Sequence, residues 1–338
     1  MEKRTELPKR ITVYDIAEEL NISTSTVSRV LNNSSLISDE RSRQIRDTAE
    51  KMGYRKRVIK KHINRVILNL HLFLPETNNQ LTHFFYNMSD LIESIQEGFG
   101  EVRLNFITRV NDGNLEFLER KKTGQIDGCV FAFTSPSLKL QKELNNRSIP
   151  YILLNRTSKN GNFIAYDVPQ GIRLLSQKMI DKKGAGLRPC YLGFEKLPAV
   201  SQERYETALE FFREKGIHFD KTSSLDIHSL DEIPSKAVQW VQENGFNAVL
   251  AFNDLIALSF LQACQYSGLR IPEDIMLTGF DDSPIQNILG RKIDTISLSI
   301  PLLGKMAGQW LKSNIIDRDQ KELKEILTVS YVQGQTLS

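Results

Sequence analysis

From residue 66 onward, short unbroken apolar runs alternate with runs whose apolar residues recur every three or four positions. VILNLHLFL (66–74) precedes DLIESIQEGF, LNFIT (104–108) precedes NLEFLERKK, DGCVFAF (127–133) precedes LKLQKELNN, and IPYILLN (149–155) follows. The texture then repeats through FIAYD, GIRLLSQKMIDK, CYLGF, YETALEFFREKG, NAVLAFND, IALSFLQACQYSG and EDIMLTGFD. A strand buried on both faces reads as a continuous apolar run, and strands alternating with helices build parallel sheets in an α/β architecture. The stretch 66–338 is long for one sheet, so two similar lobes are predicted.

The first 55 residues have a different rhythm and predict three short helices. Thr12 stands three residues before Asp15, in the manner of a capping box, and Ile16, Ala17 and Leu20 supply an apolar face. Asn21 follows, a residue that tolerates the left-handed geometry of a tight turn. Ser23 can cap a second helix, STSTVSRVLNN (23–33), in which Val27, Val30 and Leu31 take the core-facing spacing. Ser38 can cap a third, with Ile45, Ala49 and Met52 as its stripe and Gly53 as its stop. Two helices joined by a short turn make a helix-turn-helix, whose second helix enters the major groove. That explains a helix written in reluctant residues. Ser23, Thr24, Ser25, Thr26, Ser28 and Arg29 are left outside, where hydroxyls bind phosphates or bases and Arg29 binds a guanine edge or a phosphate.

Charge supports this polarity. Residues 1–65 hold 15 Lys or Arg against 9 Asp or Glu, whereas the remainder holds 29 against 32. KMGYRKRVIKKHINR (51–65) has seven basic residues and no acidic one, so a polyanion is the expected partner of this end. Cys129, Cys190 and Cys264 lie far apart in apolar surroundings, as reduced buried thiols of a cytoplasmic protein would. No apolar run is long enough for a membrane span, and MEKRTELPKRITVYDI has no signal-type apolar region.

ITVYDIAEELNISTSTVSRVLNNSSLISDERSRQIRDTAEKMGY resembles the DNA-binding headpiece of the lactose-repressor (LacI/GalR) regulators. The match runs without a gap through Thr12, Asp15, Ile16, Ala17, Ile22, Ser23, Thr26–Asn32, Ile37, Ser38, Ala49, Gly53 and Tyr54. NAVLAFNDLIALSFLQACQYSGLRIPEDIMLTGFDDSPIQNIL and DTISLSIPLLGKMAGQWL resemble later stretches of the same family. The resemblance implies an all-α headpiece (1–55), a basic hinge (56–65) and a two-lobed, type I periplasmic-binding-protein-like α/β core with parallel sheets (66–338). The first lobe would take about 66–165 and 296–325, and the second about 166–295 and 326–338. It implies base reading by Thr24 and Ser25, with Arg29 a turn later and Thr12, Asn32 and Ser38 among the DNA contacts. It also implies a homodimer, with a tetramer left open, on a pseudo-palindromic operator, and a small-molecule effector in the cleft between lobes.

In such sheets ligands sit beyond the carboxyl ends of strands, where Asn155, Asn253, Asp254 and Asp281 fall. By resemblance Arg204, Asn253 and Asp281 are effector contacts, Asn155 stands where an Asp is common, and the default effector is a sugar or a sugar derivative. Each strand-end Asn or Asp has a competing role as helix cap, the one expected of Asp254. The chain also departs from the family. Thr207 and Ala208 replace a Gly-Phe pair after the cleft arginine, KKGAGLRP replaces a G-H-R, and the early aromatic pair falls on Phe84 and Phe85 or gives way to Asn87 and Met88. In the hinge, Lys56 and Arg57 replace Pro and Asn, Lys60 replaces a small Ala, and Ile63 takes the place of the Leu that wedges the minor groove. Lys60 and Lys61 are therefore expected on phosphates.

No phosphate loop, dinucleotide fingerprint, H-E-x-x-H or C-x-x-C is present, and the five histidines have no metal-ligand spacing. The expectation is a non-enzymatic regulator with no cofactor or metal. Three rivals stay open: a regulator with a degenerate, ligand-free cleft, a headpiece fused to a sugar enzyme, and a solute-binding transport protein.

Overall fold

The computed structural model describes residues 13–31, 39–52, 54, 67–75, 87–118, 125–288, 292–319 and 321–337. They fall into two compact units, one within 1–63 and the other within 64–338.

The first unit holds α1 (Val13–Glu19), α2 (Thr24–Leu31) and α3 (Asp39–Lys51). The turn between α1 and α2 is made by Asn21 at φ 48°, the left-handed conformation for which its short amide side chain suits it. Ile16, Ala17, Val27, Val30, Ile45 and Ala49 form the buried centre, with Leu20, Ile22, Leu31, Met52 and Tyr54 packed around it.

The second unit begins with β1 (Ile67–Leu74), α4 (Met88–Phe99), β2 (Arg103–Val110), β3 (Gly128–Ala132), α5 (Leu138–Asn146), β4 (Tyr151–Leu154) and β5 (Asn162–Tyr166). After α6 (Val168–Lys183) come β6 (Pro189–Phe194), α7 (Pro198–Glu214), β7 (Ser224–Ile227), α8 (Val238–Glu243), β8 (Ala248–Ala251), α9 (Asp254–Tyr266) and β9 (Met276–Thr278). The chain ends through β10 (Thr295–Ser297), α10 (Ile300–Lys312), β11 (Lys324–Leu327) and β12 (Ser330–Val332). One parallel sheet has the order β11-β5-β4-β3-β1-β2 and a second the order β7-β6-β8-β9, while β10 and β12 pair antiparallel. β3 and β4 are buried at every position, as apolar runs covered on both faces must be.

The chain crosses between the sheets three times, and the crossings are bonded to one another. Asp167 N donates to Leu327 O at 2.9 Å, Tyr166 Oη to Ser299 O at 3.0 Å, and Val329 N to Gln170 Oε1 at 3.0 Å. β11 pairs with β5 along its whole length, so the last crossing falls beyond Leu327 rather than at 325/326.

NLEFLERKK does not open as the expected helix. Asp112 Oδ1 and Asn114 Oδ1 accept from backbone N–H groups two residues ahead, which favours turns, and among the described residues of this segment (114–118) Glu116–Leu118 makes a single tight helical turn. Its apolar residues still reach a core, since Phe117 and Leu118 are buried with Phe73, Phe131 and Leu140. The three cysteines are buried and free. Among the described residues no helix is long and apolar enough to cross a membrane.

Candidate DNA-reading helix and effector cleft

Ser23 opens α2. Its Oγ accepts from Thr26 N at 3.2 Å and lies 2.9 Å from Ser25 Oγ and 2.7 Å from Thr26 Oγ1. The cap thus satisfies an orphan helical N–H and gathers three hydroxyls at the positive end of the helix dipole. Ser23 and Ser25 are exposed, while Thr24 and Thr26 are half-buried. Rotatable hydroxyls both donate and accept, so this corner is equipped for phosphates and base edges alike. Ser28 and Arg29 belong to α2, but their side chains lie outside the described residues, as do Thr12, Asn32, Ser38 and the hinge residues Arg57, Lys60, Lys61 and Ile63.

The cleft candidates meet at the carboxyl ends of the two main sheets. Arg204, on α7, is 4% exposed. Its Nη2 donates to Asp281 Oδ1 at 3.1 Å and its Nη1 to the carbonyl of Phe252. The guanidinium lies 4.1 Å from the centre of the Phe280 ring and 4.7 Å from that of Phe252, a cation held between two aromatic faces. Nε of Arg204 is buried and has no hydrogen-bond partner among the described residues. Across from this pair, from the first sheet, comes Arg156. Burial, first, and then the nearby Arg204 charge hold its guanidinium below the usual arginine value, with Asp281 and Glu203 opposing them. Its Nη1 donates to Asn155 O at 2.6 Å.

Asn155 sits at φ 53°, and its Oδ1 accepts from Tyr166 N at 3.3 Å, joining the ends of β4 and β5. Asn253 is buried and its Oδ1 accepts from Ile256 N at 3.0 Å, so this oxygen serves the competing role of cap for α9. Asp254 is wholly buried and faces protein, not the cleft opening. Phe84 and Phe85 lie outside the described residues, and Asn87 caps α4 by accepting from Ser89 N at 3.0 Å.

Sequence reasoning missed Arg156, Phe252 and Phe280. A signal was present, since each adjoins a strand-end candidate: Asn155, Asn253 and Asp281. A second signal appears only in the backbone. Phe133, Asn155, Asp281 and Asp282, all just beyond strand ends, have positive φ. Such residues cost roughly 1–3 kcal/mol each and cluster where function over-determines them.

Residues 12–56 match the family described as bacterial regulatory proteins, lacI family, and residues 188–337 match the periplasmic binding protein-like domain. The chain thus carries a lacI-family DNA-binding domain followed by a periplasmic-binding-like domain. Among lacI-family relatives, it is 26% identical over 330 residues to the ribose operon repressor of Bacillus subtilis (strain 168), covering 96% of this chain and 98% of that one. Its fold is that of the transcriptional regulator CelR–cellobiose complex (TM-score 0.68, 20% identity, 97% of this chain and 100% of that one). It is also that of the lac repressor dimer bound to operator and the anti-inducer ONPF (TM-score 0.64, 18% identity, 97% and 99%). Residues 12–56 are thus a lacI-family DNA-binding domain, and the relatives of the chain are transcriptional regulators rather than enzymes.

Proposed function

We propose that this protein is a repressor that binds a pseudo-palindromic operator as a dimer and is controlled by a carbohydrate held between the two lobes of its core. In this reading the headpiece (1–55) reads DNA through Thr24, Ser25 and Arg29. Thr12, Ser23, Thr26, Ser28, Asn32 and Ser38 give further contacts, and the hinge (56–65) places Arg57, Lys60 and Lys61 on phosphates with Ile63 at the minor groove. The core (66–338) places Asn155 and Arg156 on one side of the effector and Arg204, Asn253 and Asp281 on the other. Effector binding then alters operator affinity as a coupling free energy between two sites.

The observation that carries this reading is the Arg204–Asp281 pair. A carboxylate accepts from neighbouring hydroxyls, a guanidinium donates in a fixed plane, and aromatic rings face the apolar side of a sugar. Here the carboxylate and the rings follow strand ends, and the guanidinium reaches them from α7. The relatives named for ribose and cellobiose make these sugars the first probes. D-ribose or cellobiose should raise the melting temperature of the wild-type protein, and Asp281→Ala and Arg204→Ala should abolish that shift while the headpiece still binds operator. A ligand-free regulator is the second reading, favoured by Arg204 and Asp281 already satisfying each other. No shift with these sugars, their phosphates or sugar acids, and an operator affinity indifferent to all of them, would select it.

A further inference from the structure

Asp254 is the first residue of α9, and no part of it reaches solvent. Its N–H donates to Phe280 O at 3.0 Å. Its Oδ2 accepts from Ser283 N at 2.6 Å and from Gln286 Nε2 at 2.8 Å. Its Oδ1 is 2.6 Å from Thr295 Oγ1, on β10. Gln286 Oε1 in turn accepts from Ile293 N at 2.9 Å. One carboxyl group therefore joins the start of α9, the 279–286 loop and the strand by which the chain leaves for its second crossing. The backbone is cut to admit it: a Cβ on Gly279 would stand 2.1 Å from Asp254 Oδ1 and 3.0 Å from Asp254 Cα.

The loop so held carries the cleft carboxylate. Asp281 and Asp282 sit at φ 98° and 50°, conformations that need an external hold. Asp281 N donates to Ile296 O and Gly279 N to Asp294 O, both at 2.9 Å, so the loop lies on β10 as well. We propose that Asp254 is a positioning residue, which ties the Asp281 loop to β10 and so fixes where the Asp281 carboxylate stands against Arg204. Its consequence for effector binding rests on Asp281 being an effector contact; the measurement below needs no ligand.

The same geometry makes the tie sensitive to protonation. Burial pushes the Asp254 carboxyl up to about 8, the Thr295, Ser283 and Gln286 hydrogen bonds oppose that rise, and Asp281 is the charged neighbour that adds to it. Below that pH the acid is neutral, and the Thr295 hydroxyl can turn to accept its proton. Above it, a second negative charge stands behind the Asp281 loop.

Hydrogen exchange on the full chain tests this. At about pH 6.5, Asp254→Ala should speed exchange about tenfold in peptides spanning 277–297 while β1, β3 and β8 keep their protection. Asp254→Asn, which keeps one acceptor and gains a donor toward Thr295, should stay within about twofold of wild type. Above pH 8 wild type should loosen in this stretch beyond the intrinsic effect of pH, and Asp254→Asn should not. Should Asp254→Ala fail to fold, Thr295→Val and Gln286→Leu remove its donors singly, and each should loosen the same stretch. Unchanged exchange there in these variants would overturn the proposal, as would equal loosening through the whole second sheet. Failure of every sugar to bind would instead remove the effector reading and leave the exchange result standing.

Discussion

His71 occupies a strand position written as apolar, and its chemistry follows from that. It is wholly buried in β1, its ring 5.6 Å from that of Phe117, and its Nδ1 accepts from Arg109 Nε at 3.0 Å. The proton of the neutral ring therefore sits on Nε2, which is buried and has no partner among the described residues. Burial, and then the Arg109 charge, push the imidazole down to about 4 from 6.5. A group whose folded value is depressed gives its full stability above the unfolded value and loses it as pH falls toward the folded one. The window is thus pH 6.5 down to about 4, and the loss reaches up to about 3 kcal/mol. His71→Gln keeps an acceptor for Arg109 and does not titrate, so urea midpoints for wild type and variant should diverge on acidification through this window. Parallel curves would show that His71 is not held neutral. Single residues were unevenly legible in the sequence. Asn21 was read for its left-handed turn because Asn is one of few residues that adopt it without Gly. Arg156 was passed over because an arginine after a strand is ordinary, and its half-buried place beside Arg204 sets it apart.

At the scale of elements, alternation of apolar runs with helical periodicity located most strands of both sheets, because strands covered on two faces have a composition no surface segment shares. β7 has only a short, half-exposed SLDI to show, and it escaped. One close helix pair was also invisible as a pair. α4 and α10 cross on small residues far apart in sequence, with Ser94 and Gly98 facing Gly304 and Gly308. A Cβ on Gly308 would stand 2.2 Å from Ile95 O, and one on Gly98 would stand 2.3 Å from Lys305 O. These obstacles are backbone, so the helices must separate to admit a side chain. Gly308→Val should therefore cost about 1–3 kcal/mol or more in urea unfolding. The Lys305–Glu97 pair beside the crossing, at 2.6 Å, is solvent-exposed, and Glu97→Gln should cost within about 1 kcal/mol. The reverse ranking would mean that charge rather than backbone approach joins these helices.

For the whole molecule the question is how recognition divides between the reading helix and the basic connector. The two should respond differently to the same measurement, because base contacts set which sequence is preferred while phosphate contacts release counterions whatever the sequence. The family pattern made the headpiece legible, since a helix-turn-helix is local and its spacing survives in sequence; the effector cleft is assembled from distant strand ends, so its identity depends on geometry. The connector departs from that pattern most, with Lys60 where the resemblance implies a small residue and seven basic residues between 51 and 65. Like charges brought close repel unless anions intervene, so this composition suits a segment lying along phosphates. Arg29→Ala should weaken binding to the preferred operator by about 1–3 kcal/mol and change non-specific binding far less. Replacing Lys60 and Lys61 by Gln should instead weaken binding to operator and random duplex alike. The slope of log affinity against log salt should fall by about 0.9 for each phosphate contact removed. Operator and random duplex titrated across a salt series supply every term. An unchanged slope would show that the lysines do not touch phosphate, and a loss confined to the operator would make them readers of sequence.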